Sequence, residues 1–363
     1  MADWADIKKT LFASLLAVAA LSGVAEVEPV GLVLSGGGAK GAYEVGVWKA
    51  LCEAGVADRI TVFSGTSVGA INAALLASVR DPDKCARIWR EEVSGVFVPD
   101  ANLKWAIFCE IFKNAGSAMC KRKQGKESGE RLSLWDGSVI LAETSASIGV
   151  KAVKKIIDSV HGPSNSVGVC DSSGLRDALR RHLPERWETV SPLVYATAVA
   201  KEQGGAHLFC LNGNERERDI DYVMASAAIP IGYGSVEIDG VPYVDGGFEA
   251  HGGDNTPVKA VVEKHPEVKT MIVVYLKDRT HLKRRVSQGD LPGVNLIEII
   301  PSKDIEGRFG FLGLIDSSPK AVEFLLNLGY SDAKRVLKRC AEILGTQKQN
   351  FPKTQQQKKG KTK

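Results

Sequence analysis

With 363 residues, 44% of them hydrophobic and 25% charged, the chain can bury a substantial core and reads as one large or two small globular domains. Its formal charge of +4 belongs to the tail: beyond Gly345 there are six lysines and no acid, and the body that remains is slightly acidic. A basic nucleic-acid-binding surface is therefore excluded as the organising feature, and no nucleic-acid partner is expected.

The first segment, residues 1–27, admits two readings. Lys8-Lys9, the apolar run 11–21 and the small residues Gly23 and Ala25 resemble a signal peptide. Asp3 and Asp6 cancel its basic charge, however, and Trp4, Ile7, Leu11 and Leu15 fall near the spacing of an amphipathic helix that docks or lies on a membrane surface. The run is too short to span a bilayer. A cytoplasmic or membrane-peripheral location is the leading expectation, with secretion as the alternative. Seven scattered cysteines, Cys52, Cys85, Cys109, Cys120, Cys170, Cys210 and Cys340, show no metal-ligand spacing and suit reduced thiols.

The main domain is expected over residues 28–344. Residues 30–34 (VGLVL) form a short, continuously apolar strand, followed by the glycine loop 35–41 and a helix over 42–54 that Gly55 ends. A second strand over 59–63 runs into the tight turn 64–67 and a helix over 68–79. This alternation is the grammar of a parallel sheet covered on both faces. The stretch 103–131 reads as an insertion. Its apolar half carries Trp105, Phe108 and Phe112 and its second half is charged, as in a surface loop or a lid that meets lipid. Strands follow over 193–199 and 207–211, then a short helix over 221–228 stopped by Pro230. Residues 236–238 and 241–244 flank Asp239-Gly240, a dipeptide suited to a two-residue hairpin. A buried strand over 269–276 and one or two helices over 319–344 close the domain, and 345–363 is a Lys/Gln-rich tail with the composition of disorder.

A glycine loop between strand and helix presents backbone amides to an anion, and the anion can be a nucleotide phosphate or a transient oxyanion. Gly36, Gly38 and Gly41 fit G-x-G-x-x-G, yet the second strand ends Phe63-Ser64-Gly65 without the ribose-binding acid a dinucleotide site needs. Lys40 is followed by Gly41-Ala42, so the loop is not a P-loop either. Residues 65–69 (GTSVG) fit G-x-S-x-G, the nucleophile elbow, which projects Ser67 from the strand end at the positive end of the next helix. In a parallel sheet both strand ends share one edge, so the amides of Gly37 and Gly38 can meet an oxyanion formed as Ser67 attacks an ester. Asp245, in YVDGG, is the best candidate base. A dry cleft would make an otherwise weak carboxylate able to accept the serine proton, and Gly246 and Gly247 remove side chains from its approach. Of the six histidines, His251 in the polar loop 249–255 is the best alternative.

Residues 36–41 (GGGAKG), 65–69 (GTSVG), and 224–230 (MASAAIP) with 236–247 ending in Asp245-Gly246-Gly247 occur in this order. Together they resemble the patatin-like phospholipase family over roughly residues 30–276. The resemblance implies a three-layer α/β/α fold with a mostly parallel central sheet, and a Ser-Asp dyad that hydrolyses lipid acyl esters without metal or other cofactor. On this chain it implies Ser67 as nucleophile, Asp245 as base and the amides of Gly36, Gly37 and Gly38 as oxyanion hole, with Gly41, Gly65, Gly69, Gly246 and Gly247 as structural support. Lys40 takes the family's basic position, where it approaches a headgroup phosphate or caps the loop. Ser35 stands where the family often has Asp, and Val68 where a smaller residue is common. The implied reaction is of phospholipase A type on a phospholipid or other acyl-ester lipid, at a membrane surface. Free phospholipase activity endangers the cell that makes it, so dormancy until an activating ligand or protein binds is a separate expectation. A Ser-His-Asp esterase using His251, a nucleotide-binding module and a catalytically silent lipid-binding scaffold are the rival readings.

Overall fold

The computed structural model describes residues 28–97, 172–188, 192–229, 233–282, 285–305 and 316–345. The expectations for residues 1–27, the insertion 103–131, Pro230, His161 and the tail beyond 345 lie outside the described residues. In chain order the chain forms β1 (Val30–Leu34), α1 (Ala42–Glu53), β2 (Ile60–Thr66), α2 (Val68–Val79), α3 (Pro82–Ile88) and α4 (Ser173–His182). It continues with β3 (Leu193–Ala200), β4 (Ala206–Cys210), α5 (Arg216–Ser226), β5 (Val236–Ile238), β6 (Val241–Asp245), α6 (Val258–Lys264), β7 (Thr270–Val274), β8 (Asn295–Ile299) and α7 (Pro319–Arg339).

Every residue of β1 and β7 is buried, as their unbroken apolar runs require when both sheet faces are covered. Alternate side chains serve opposite layers. Leu32, Leu34, Ile272 and Val274 join the large core with α1, α2 and α7, whereas Val33, Met271, Val273 and Tyr275 join a second core with Val258 and Val261 of α6. The result is the expected three-layer α/β/α arrangement. Strands β3, β2, β1, β7 and β8 run parallel in that order, while β4, β5 and β6 pair antiparallel.

The register around β3 positions the strand ends that carry the candidate site. β4 pairs with Tyr195 to Val199 of β3 and occupies one edge. The other edge is left to two strands in succession: β2 along Leu193 to Thr197, then β6 along Ala198 to Ala200. Thr66 therefore faces Thr197, and Asp245 faces the next residue, Ala198.

Several boundaries differ from the sequence reading. β2 continues through Thr66 because Ser64, Gly65 and Thr66 find ladder partners in Tyr195, Ala196 and Thr197. α5 starts at Arg216 rather than 221, its charged opening turn engaged by α4 through the ion pairs Arg180–Glu217 and Arg176–Asp221. β8 (NLIEI) and the seven-residue α6 escape detection because neither carries a periodic pattern long enough to read. The hairpin at Asp239-Gly240 forms as expected, with φ of 52° and 76° at the two turn residues. The closing segment is one helix, α7, opened by Pro319 at its first position and by Ser318, whose Oγ accepts the Ala321 amide. Among the described residues no helix is long and apolar enough to cross a membrane.

α7 crosses α1 at backbone contact. A Cβ on Gly46 would lie 2.0 Å from the Leu326 carbonyl oxygen, and one on Gly329 would lie 2.0 Å from that of Tyr43. Neither obstacle is a side chain that can swing away, so Gly46→Ala forces the helices apart and is expected to cost about 1–3 kcal/mol. Thermal unfolding of the variant checks this, and an unchanged midpoint would contradict the close crossing.

Candidate active site

Ser67 sits between β2 and α2 at φ 57°, ψ −125°, a conformation that non-glycine residues adopt only when their surroundings enforce it. The enforcement is visible. Gly65 and Gly69 flank the turn, and a Cβ on the first would lie 2.1 Å from the Gly69 oxygen, on the second 2.3 Å from the Leu34 oxygen. The Ser67 amide donates to Ser226 Oγ at 2.9 Å, and that hydroxyl donates in turn to the Thr197 carbonyl at 2.5 Å. The Ser67 carbonyl accepts from Ala70 and Ile71 in the first turn of α2, which leaves its side chain at the positive end of the helix.

Asp245 ends β6 and is fully buried. Its backbone amide donates to the Ala228 carbonyl at 2.9 Å and that of Gly246 to the Ser226 carbonyl at 3.2 Å, so the C-terminal end of α5 holds both catalytic candidates. Burial pushes the Asp245 carboxyl up to about 7, against the smaller pull of hydrogen bonding from the Ser67 hydroxyl and the Gly247 amide. Gly247 donates to Oδ1 at 2.9 Å, while Oδ2 lacks a partner of full hydrogen-bond geometry. The serine hydroxyl is thus near enough to influence the carboxyl without a fully formed bond, which is common in sites free of substrate. Gly246 leaves no room for a side chain, since a Cβ would lie 1.9 Å from the Thr197 oxygen.

The glycine loop passes hard against the serine. A Cβ on Gly36 would stand 3.1 Å from Ser67 Cβ and 2.3 Å from Asn255 Oδ1. Of the three amides read as an oxyanion hole, that of Gly36 donates to the Asn255 carbonyl at 3.4 Å, while those of Gly37 and Gly38 take no partner among the described residues. The Asn255 side chain returns a bond from Nδ2 to the Gly36 carbonyl, also at 3.4 Å, and Thr66 Oγ1 donates to the Asp254 carbonyl at 2.8 Å. The segment after Asp245 therefore anchors both the loop and the elbow. Lys40 is 2% exposed, with its Cε 3.3 Å from where a Gly37 side chain would begin, so its side chain is buried against the loop.

His251, the alternative base, is exposed and stacks on Phe248 with ring centroids 4.7 Å apart. His182 meets Glu92, His265 meets Tyr195 and Glu267, His281 meets Asp278, and His207 stacks on Phe209. None of these five described histidines bonds to Ser67 or Asp245. Asp278, His281 and Asp304 bring one ligand atom each within 4.8 Å of one another, but Asp278 there caps a turn by accepting from Thr280 and His281. A cavity of about 520 Å³ is lined by Ser35, Asn255, Tyr275, Leu276 and Arg285 among others; neither Ser67 nor Asp245 lines it.

Ser226 and Asn255 are the residues that sequence reasoning missed as parts of the site. Both lay inside segments it had singled out, the MASAAIP stretch and the polar loop 249–255, yet nothing local to either marks a long-range partner.

The layered sheet, the glycine loop and the elbow at neighbouring strand ends define an α/β protein with a serine-centred candidate site. A sequence model described as Patatin-like phospholipase matches residues 32–262, and the chain belongs to that family. Over 54 residues it is 59% identical to the lysophospholipase nte1 of Aspergillus terreus, a match covering 15% of this chain and 3% of that protein. Over 81 residues it is 38% identical to the human patatin-like phospholipase domain-containing protein 6, covering 22% of this chain and 6% of the relative. These matches span only a small part of the relatives' length. Human GIVD cytosolic phospholipase A2 aligns over 88% of this chain and 60% of its own at a TM-score of 0.42 with 14% identity. VipD from Legionella pneumophila aligns over 86% of this chain and 67% of its own at 0.39 with 17% identity.

The bridge from Thr197 through Ser226 to Ser67 makes a prediction. Ser226→Ala leaves the Ser67 amide and the Thr197 carbonyl without their buried partner, a loss of about 1–3 kcal/mol for the elbow. Ester hydrolysis by the folded variant is expected to fall by about tenfold or more. Wild-type turnover would show that the elbow holds its conformation without this bond.

Proposed function

We propose that this chain is a lipid acyl hydrolase of phospholipase A type, cleaving fatty acyl esters of glycerophospholipids with Ser67 as nucleophile and Asp245 as base. One observation carries the reading: a serine at an enforced elbow lies beside a fully buried carboxyl whose proton affinity burial has moved into the neutral range. Membership of the family supports the lipid substrate. The catalytic domain is taken to be residues 28–344, acting at a membrane surface by peripheral contact.

In this mechanism Asp245 accepts the Ser67 proton as Oγ attacks the ester carbonyl, and the oxyanion that forms meets the Gly37 and Gly38 amides. The collapsing intermediate expels the lysolipid alcohol, which takes the proton from Asp245, and leaves an acyl ester on Ser67. A water molecule, deprotonated by Asp245, then attacks the acyl carbon; Ser67 leaves with that proton and the fatty acid departs. The positive end of α2 stabilises negative charge at Oγ throughout. None of the five described histidines takes part, in keeping with their positions away from both residues.

Release of fatty acid from phospholipid vesicles by wild type, Ser67→Ala and Asp245→Asn tests the dyad. Both variants are expected to lose activity by about 10³-fold or more, while His251→Ala keeps it. Full activity in Asp245→Asn together with loss in His251→Ala would replace the dyad by a histidine mechanism.

The raised carboxyl also sets a pH dependence. Asp245 acts as base only when ionised, so below its value of about 7 each unit of falling pH removes a further tenfold of base, and above it the ionised fraction saturates. kcat/KM is expected to rise with unit slope up to about pH 7 and then level off. A profile already flat from pH 5 would rule out a buried carboxyl of this kind as the base.

A further inference from the structure

The dyad mechanism leaves the fully buried carboxyls of Glu44 and Asp219 with no role, and the first of them adjoins the glycine loop. Glu44, in the first turn of α1, is 0% exposed, and burial raises its carboxyl well above the ordinary range. Asn72 of α2, equally buried, donates through Nδ2 to Glu44 Oε2 at 2.7 Å and to the Gly41 carbonyl at 3.0 Å. Trp89 Nε1 donates to Asn72 Oδ1 at 2.6 Å. Both hydrogens of the amide group and its oxygen are thereby engaged.

The elements these partners belong to give the network its meaning. Gly41 closes the glycine loop, Glu44 begins the helix after it, and Asn72 lies one turn into the helix that Ser67 opens. Loop and nucleophile helix are in contact with no slack: a Cβ on Gly41 would stand 2.4 Å from Val68 Cγ2, 2.8 Å from Trp89 Cζ2 and 3.0 Å from Asn72 Nδ2. Apolar side chains of the same volume could fill this space, but they would fix no direction. The polar contacts of Asn72 do, because any shift of loop against helix parts its amide group from the acceptors on both sides and strands them away from water; Glu44 Oε1 lies outside these contacts, without a partner of full hydrogen-bond geometry.

We propose that Asn72, oriented by Trp89 and backed by Glu44, is a positioning residue that locks the glycine loop to the nucleophile helix and so sets the Gly37 and Gly38 amides relative to Ser67 Oγ. It touches no substrate. Its effect comes through geometry, and misplacement of reacting groups by about 1 Å can cost about a hundredfold in rate. The proposal rests on Ser67 serving as nucleophile and the loop amides as oxyanion donors.

The experiment compares full-length wild type with Asn72→Ala, Trp89→Phe, Glu44→Leu and Glu44→Gln. Trp89→Phe keeps an aromatic ring in place and removes the N–H, so it tests the network even where Asn72→Ala does not fold. For fatty-acid release from phospholipid vesicles, kcat is expected to fall about 30- to 100-fold in Asn72→Ala and about 3- to 10-fold in Trp89→Phe and Glu44→Leu, with KM within about threefold. Glu44→Gln recovers most of the Glu44→Leu loss, since its amide oxygen accepts the same bond from Asn72. Amide hydrogen exchange over residues 36–41 is expected to quicken in Asn72→Ala while that of β7 stays unchanged. Folded variants with wild-type kcat, a loss confined to KM, or loop exchange identical to wild type would each overturn the proposal. If wild type and Ser67→Ala are equally inactive on vesicles, the hydrolase reading fails instead, and the exchange measurement still decides whether Asn72 anchors the loop.

Discussion

One edge of β3 serves two strands, and the candidate site depends on that. β2 uses the edge as far as Thr197 and stops; β6 arrives from the opposite direction and takes over at Ala198. Strands that share an edge in this way meet end to end, so the turn leaving β2 and the turn leaving β6 emerge at the same point. The first turn carries Ser67 and the second follows Asp245. Backbone pairing places them together with an accuracy that flexible side chains could not provide, because ladder geometry fixes neighbouring positions to within a fraction of an ångström.

Two unfavourable states are maintained there. Ser67 holds a positive φ, and Asp245 is a carboxyl removed from water whose protonation answers to burial and to hydrogen bonding from Ser67 and Gly247. A lysine or arginine beside Asp245 would lower its proton affinity and spoil it as a base; isolation does the reverse. Neutral hydrogen bonds from the end of α5 and the residues just past it do the holding instead, through Ser226 Oγ and the carbonyls of Ser226 and Ala228. The strain and the desolvation are stable because the large core on that face of the sheet, which includes Val223 and Ala225 of α5, keeps the helix in place.

The glycine loop is held from two directions. Asn255, downstream of Asp245, bonds both the amide and the carbonyl of Gly36, and Asn72 reaches Gly41 from α2. Gly37 and Gly38 lie between these anchors with their amides unengaged among the described residues. A loop fixed at both ends and open in the middle suits a site whose anion exists only during reaction, since the donors then need no reorganisation when charge appears.

The alternation of strands and helices from residue 30 to 79, the elbow, the glycine loop, the hairpin at Asp239-Gly240 and the place of Asp245 at the end of the hairpin's second strand were all legible in the amino-acid order, because each is written in local pattern or in glycines that only one backbone geometry needs. Periods of apolar residues reveal faces, and G-x-S-x-G reveals a turn. Which distant pieces meet was settled by the folded chain alone. No local signal could show that β6 continues the line of β2, that Ser226 spans from Thr197 to the Ser67 amide, or that Asn72, Glu44 and Trp89 form one buried network. Strand order and hydrogen-bond partners across long separations follow from how the whole chain buries its apolar surface while satisfying its buried polar groups, and that condition is met globally. The same is true of the proton affinity of Asp245, a composition-blind property that only its burial could set.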